Sequence, residues 1–233
     1  MFLLYEGWTL KALRLRETKF SGRVIILSFL CSKEFKFQAG QYINITSPQG
    51  TEIPFSIASS PDDLPILEIH YRPLPNSDHA KVMDEMLKNE TIFNISGPFG
   101  KVTLNKPTPE YLFIIAAGTG AGQATSIIKS LEKQTIQPVT ILWWSVTADS
   151  ELYQESYFGD PMKRSWLTYR NFIDDDGTNL LIKELEKPNF MHTECNQYIL
   201  TGPPGFVLSC CEKLKNKGIN STRIHSDVFS YAP

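Results

Sequence analysis

Near residue 105 the hydrophobic pattern of this chain changes period, and that change constrains the fold more than any other feature. Before it come short runs that alternate or cluster β-branched residues: Val24–Leu30, Gln41–Thr46, Ile66–Tyr71 and Thr91–Ser96. Turn signals separate them at Ala39-Gly40, Ser47-Pro48-Gln49-Gly50, Ser60-Pro61-Asp62-Asp63 and Gly97-Pro98-Phe99-Gly100. Short strands at this spacing predict an antiparallel β-barrel. One helix interrupts them over Ala80–Leu87, capped by Ser77 or Asp78, with Val82, Met83, Met86 and Leu87 as its apolar stripe.

After Lys106-Pro107-Thr108-Pro109, which reads as a linker, buried strands alternate with helices. Tyr111–Ala117, Val139–Val146, Trp166–Ile173 and Gln197–Thr201 read as strands. Gln123–Lys133, Leu180–Leu185 and Phe206–Lys217 read as helices, and Trp143-Trp144 is expected to pack between sheet and helix. That alternation predicts βαβ units and a parallel sheet. The fold expected is therefore two domains, an antiparallel β-barrel over residues 1–104 and an α/β domain over 105–233, with a ligand in the cleft between them.

Composition removes several classes of function. A net charge of −2 leaves no basic footprint for nucleic acid or an anionic membrane. The apolar run Tyr111–Ala117 is far short of the ~20 residues a spanning helix needs. Phe2–Tyr5 is apolar but lacks a basic flank and ends at Glu6, so no signal peptide is expected. Cys31, Cys195, Cys210 and Cys211 fit no zinc, disulfide or iron–sulfur framework, which points to reduced thiols and a cytoplasmic protein. His70, His79, His192 and His225 show no metal-ligand spacing, and no metal is expected. Asp174-Asp175-Asp176-Gly177 lacks the spaced ligands of a calcium loop and reads as a solvated turn.

Three motifs carry chemistry. Ala116-Ala117-Gly118-Thr119-Gly120-Ala121-Gly122 joins a buried strand to a helix, where glycines let the backbone approach phosphate oxygens at the helix N-terminus. It differs from the Gly-x-Gly-x-x-Gly fingerprint, because its third glycine comes one residue early. Thr201-Gly202-Pro203-Pro204-Gly205 repeats the strand–loop–helix arrangement, so that two such loops would flank one crevice. Ile53-Pro54-Phe55-Ser56-Ile57 places an aromatic beside a serine in a strand, a pairing that can stack on a planar ring and hydrogen-bond its edge. Each has an ordinary structural reading when taken alone.

In order, Phe35-x-Phe37-x-Ala39-Gly40-Gln41-Tyr42, Pro54-Phe55-Ser56, Gly97-Pro98-Phe99-Gly100, Ala117-Gly118-Thr119-Gly120, Gly202-Pro203-Pro204 and the ending Asp227-Val228-Phe229 resemble the ferredoxin–NADP reductase superfamily over nearly the whole chain. Length and ending look most like its small bacterial NAD(P)H:flavin reductases. The resemblance implies a flavin-binding barrel and an NAD(P)-binding α/β domain, with hydride passing from NADH or NADPH to riboflavin, FMN or FAD. It places Pro54, Phe55, Ser56, Ile57, Tyr71 and Arg72 at the flavin, with Ser56 near its N5. Gly118, Thr119, Gly120 and Ala121 receive the nicotinamide nucleotide, with Thr201, Gly202, Pro203 and Pro204 as the second loop. Ser56, Asp227 and Phe229 form the catalytic set, Asp227 positioning the nicotinamide or Ser56 and Phe229 covering the ring edge.

Three positions depart from the family pattern. Ile53 replaces an arginine that meets the flavin phosphate, Thr201 replaces a cysteine, and Ser145–Asp149 lacks an arginine. The first implies a loosely held flavin used as substrate, unless Arg72 or Lys81 supplies the charge. The third implies NADH used at least as well as NADPH, unless Lys163 or Arg164 folds back. Ferric iron or a separate protein is the implied acceptor. A flavin-retaining reductase component serving a partner protein, and a non-catalytic relative, remain as alternatives.

Overall fold

The structure is a computed structural model that describes residues 8–20, 22–32, 34–104, 108–175, 179–188 and 197–230. The first half contains β1 (Trp8–Lys19), β2 (Ile25–Leu30), β3 (Tyr42–Thr46), β4 (Glu52–Ser56), β5 (Ile66–Tyr71), α1 (Asp78–Asn89) and β6 (Ile92–Phe99). The second contains β7 (Tyr111–Ala117), α2 (Ala121–Glu132), β8 (Val139–Val146), α3 (Glu155–Phe158), β9 (Leu167–Ile173), α4 (Leu180–Glu186), β10 (Gln197–Thr201), α5 (Pro204–Asn216) and β11 (Ile224–His225). Residue 105 at the proposed domain boundary, half of the linker, His192, Cys195 and half of the aspartate turn lie outside the described residues.

The six strands of the first half are antiparallel in the order β4-β3-β6-β1-β2-β5, and an Ile57–Ile69 bridge brings the two edges together. Period-2 alternation drives this, because Ile43, Ile45, Ile53, Phe55, Ile57, Leu67 and Ile69 all turn to one buried core. β1 is the strand absent from the sequence reading. Leu10 and Ala12 face inward while Lys11 and Leu13 face out, and a register shift between Arg14 and Arg16 then resets the phase. β6 also runs on through Gly97-Pro98 to Phe99, beyond the expected turn, because Tyr42 of β3 pairs with Phe99. Ser77 caps α1, its hydroxyl accepting from the Ala80 N–H at 3.3 Å.

The second half is a parallel sheet in the order β11-β10-β7-β8-β9. Its strands are apolar throughout because both faces are covered. Phe113, Ile115, Trp143 and Leu200 face α4 and α5, while Leu112, Ile114, Trp144 and Ile199 face the layer containing α2. β7 leads to β8 and β9 on one side, and the chain then crosses to β10 on the other. The topological switch point lies between β7 and β10, the place where such sheets bind ligands.

Polar ties join the halves. Ser126 Oγ donates to the Ser59 carbonyl at 2.7 Å, and Gln197 Nε2 to the Thr103 carbonyl at 2.8 Å. The Arg72 guanidinium meets the Glu151 carboxylate at 2.6 Å. His70, wholly buried at its side chain, lies 2.9 Å from the Tyr153 hydroxyl and 3.4 Å from Glu68, which in turn meets Lys129.

Candidate functional site

Gly118 follows β7 with φ +54°, a left-handed conformation that favours glycine, and a Cβ there would meet open space. Its carbonyl accepts from Trp144 Nε1 at 2.9 Å, which fixes the loop against β8. A Cβ on Gly120 would lie 2.7 Å from the Thr201 carbonyl oxygen and 2.9 Å from the Gly202 nitrogen. Gly202 has φ +139°, and a Cβ there would meet Ala117 Cβ at 3.0 Å. The two glycine loops therefore touch backbone to backbone at the switch point. The sequence reading has Gly118, Thr119, Gly120, Ala121, Thr201, Gly202, Pro203 and Pro204 flank a crevice for the nucleotide, and the structure places the two loops side by side at the sheet edge. Pro204 starts α5 where its missing N–H costs nothing.

On the barrel the expected flavin residues divide. Pro54 is exposed and Ser56 half-buried on the outer face of β4, opposite Asn44 and Tyr42. Phe55, placed by the resemblance against the flavin, instead turns into the barrel core at 8% exposure, edge-on to Tyr71 with ring centroids 5.8 Å apart. Ile57 is fully buried for the same reason of alternation. Tyr71 is also in the core, its hydroxyl donating to the Ala80 carbonyl at 3.3 Å, and burial, reinforced by Asp84, pushes its pKa up. Ile53 faces inward opposite Ile45 at 4% exposure, so here it is a core residue. Arg72 is held by Glu151, and Arg164 by Glu132 and the Tyr157 ring. Lys81 pairs with Asp78 at 2.8 Å, and Lys163 with Asp160 at 3.2 Å. Arg72 and Arg164 are committed to buried or half-buried partners, whereas Lys81 and Lys163, each 70% exposed, are held only by surface pairs.

The outer face beside Ser56 instead carries the Tyr42 and Phe99 rings, 5.6 Å apart. Both belong to the ordered motif series, but only the β3–β6 register brings them together. Burial chiefly, with Asp227 and Glu52, raises the Tyr42 pKa, which places the Asp227 carboxylate near this face. Asp227 itself accepts from the Lys101 N–H at 3.0 Å, from the Val102 N–H, and from Gln123 Nε2 at 3.1 Å. Burial raises its pKa and these three donors oppose the rise. Phe229, 41% exposed, projects from the turn Asp227–Ser230. Gln123 had no motif signal; it stands out only once its two acceptors are in place.

A partly aromatic face with a serine hydroxyl suits a planar ring, and the open Gly118 loop suits a dinucleotide phosphate. The reductase component 1 of terephthalate 1,2-dioxygenase from Comamonas sp is 24% identical over 209 residues, covering 86% of this chain and 62% of that protein. A protein named "Probable flavin reductase" from Photobacterium leiognathi is 27% identical over 216 residues, covering 85% of this chain and 89% of its own. By sequence the chain is thus similar to proteins named as dioxygenase reductase components and as probable flavin reductases. The same fold recurs in the ferredoxin–NADP+ reductase of Plasmodium falciparum, with a TM-score of 0.79, 15% identity and coverage of 93% of this chain and 94% of that one. No family profile matches the sequence. The chain spans about three fifths of the length of the dioxygenase reductase components. Among the described residues no helix is long and apolar enough to cross a membrane, and no group of three or more His, Cys, Asp or Glu could hold a metal ion.

Proposed function

We propose that this chain is an NAD(P)H:flavin oxidoreductase, acting in the cytoplasm on riboflavin, FMN or FAD. The observation that supports it best is the meeting of two glycine loops at the switch point of the parallel sheet, joined through α2 to the Asp227 carboxylate, which lies by the Tyr42 that pairs with Ser56. When bound, the nicotinamide would supply hydride and the flavin would accept it. The chain's own work is placement. The loops at Gly118–Gly120 and Thr201–Pro204 hold the dinucleotide, Ser56 offers a hydroxyl at the flavin edge, and Phe229 covers the site until the nicotinamide arrives. The domains proposed for these tasks are residues 1–104 and 105–233. NADH serves at least as well as NADPH, since Arg164 is buried against Glu132 and Ser145–Asp149 carries no cation.

Anaerobic NADH oxidation by the purified chain, with and without added riboflavin, FMN or FAD, tests the reading. Added flavin should stimulate oxidation. A folded protein that turns over no flavin with either nucleotide would refute it. The names of the dioxygenase reductase components favour a second reading, in which the flavin is retained and electrons pass to a separate protein. Flavin colour that survives gel filtration would favour that second reading over use of free flavin.

A further inference from the structure

We propose that Gln123 is a positioning residue that couples the nucleotide loop to the C-terminal turn bearing Phe229. This rests on the nucleotide-binding role proposed above for Gly118–Gly120. Gln123 lies in the first turn of α2, directly after that loop, and is 3% exposed. Its amide nitrogen donates to two acceptors at once, the Gly40 carbonyl and the Asp227 carboxylate. Both amide hydrogens are thereby committed inside the protein, where an unmade hydrogen bond is costly.

The two acceptors belong to different parts of the molecule. Gly40 sits on the barrel with φ +101°, so close to Val102 that a Cβ would lie 2.2 Å from its carbonyl oxygen. Asp227 starts the terminal turn, whose Ser230 hydroxyl closes back on the Asp227 carbonyl at 2.6 Å. The other Asp227 oxygen accepts from Lys101 on the barrel. One side chain thus ties the nucleotide helix, the barrel and the turn that presents Phe229. Only a residue with two donors at this reach satisfies both acceptors. Glutamate would set a third acceptor against them, methionine offers no donor, and asparagine is one methylene short. A displacement of the first turn of α2 on docking is transmitted to Asp227, and so to the ring that must make way.

The test is a double-mutant cycle on single-turnover flavin reduction by NADH in wild type, Gln123→Met, Asp227→Ala and the double variant. Gln123→Met should slow reduction about tenfold, the scale of one charge-assisted hydrogen bond. Binding of ADP-ribose, which lacks the nicotinamide, should stay within about twofold, and the slowing should vanish in the Asp227→Ala background. Gln123→Glu should recover part of the rate as the pH falls and its neutral acid donates one hydrogen bond again, which a loss of fold would not do. A full effect of Gln123→Met in the Asp227→Ala background overturns the coupling. If wild type reduces no flavin, the functional reading fails. Hydrogen exchange then decides the coupling: Gln123→Met must speed exchange at Val228–Ser230, and unchanged exchange there overturns it.

Discussion

Replacing Arg72 by alanine separates two roles for one cation. The sequence reading allowed Arg72 to hold a flavin phosphate, whereas the structure gives its guanidinium to Glu151 at 2.6 Å. The Glu151 side chain is 7% exposed and that of Arg72 30%, and the barrel backbone at Gly22 closes on the same spot. Removing one partner of a buried pair costs about 3–5 kcal/mol. Glu151 keeps two donors in the variant, the Thr147 N–H at 3.2 Å and the Thr147 hydroxyl at 2.9 Å. These, and the partial exposure of Arg72, reduce the loss to about 2–3 kcal/mol. At roughly 2–4 °C per kcal/mol for a chain of this size, Tm should fall by about 4–12 °C. Titration of riboflavin and FMN should show the same affinity ratio in Arg72→Ala as in wild type. If the FMN preference collapses while Tm stays put, Arg72 is a phosphate ligand and the interdomain pair carries no stability.

Ser56→Ala should slow single-turnover hydride transfer toward the low end of the ~10²–10³ seen when a donor at developing charge is lost; an unchanged rate removes Ser56 from the chemistry. Gly120→Ala should abolish nucleotide binding in a titration with NAD+, because its methyl group would meet the Thr201 and Gly202 backbone at 2.7 and 2.9 Å, and retained affinity would show that the loops need not touch. His70 is held neutral by burial, which outweighs the pull of Glu68 beside it, with Tyr153 and Lys129 as its other polar neighbours. Its folded pKa lies below the ordinary value of about 6.5, so the unfolded chain binds the proton first and stability falls as pH drops below about 6.5. Thermal melts should show that His70→Asn flattens this slope, leaving the contribution of His225, whose pKa burial also lowers. An equally steep slope in His70→Asn would place the titration elsewhere.

What the sequence determined by itself was the order of elements and the chemistry of the loops. Apolar runs such as Tyr111–Ala117 and Val139–Val146 specify buried strands by composition alone, and they appear with those bounds. Glycine at 118 and 202 reports a backbone need that is local, a positive φ, and so can be read without a fold. β1 escaped because its outward face is charged and a register shift breaks its alternation, so only pairing with β2 and β6 defines it. The face on which a side chain ends is likewise a tertiary matter. Phe55 and Ser56 are neighbours in sequence, yet sheet pairing sends the first to the core and the second to the outer face of the barrel. The partners of charged groups are decided last of all, because Arg72, Glu151, Gln123 and Asp227 meet across tens of residues. Long-range contacts of this kind depend on how the two sheets are docked, and local pattern carries no trace of it.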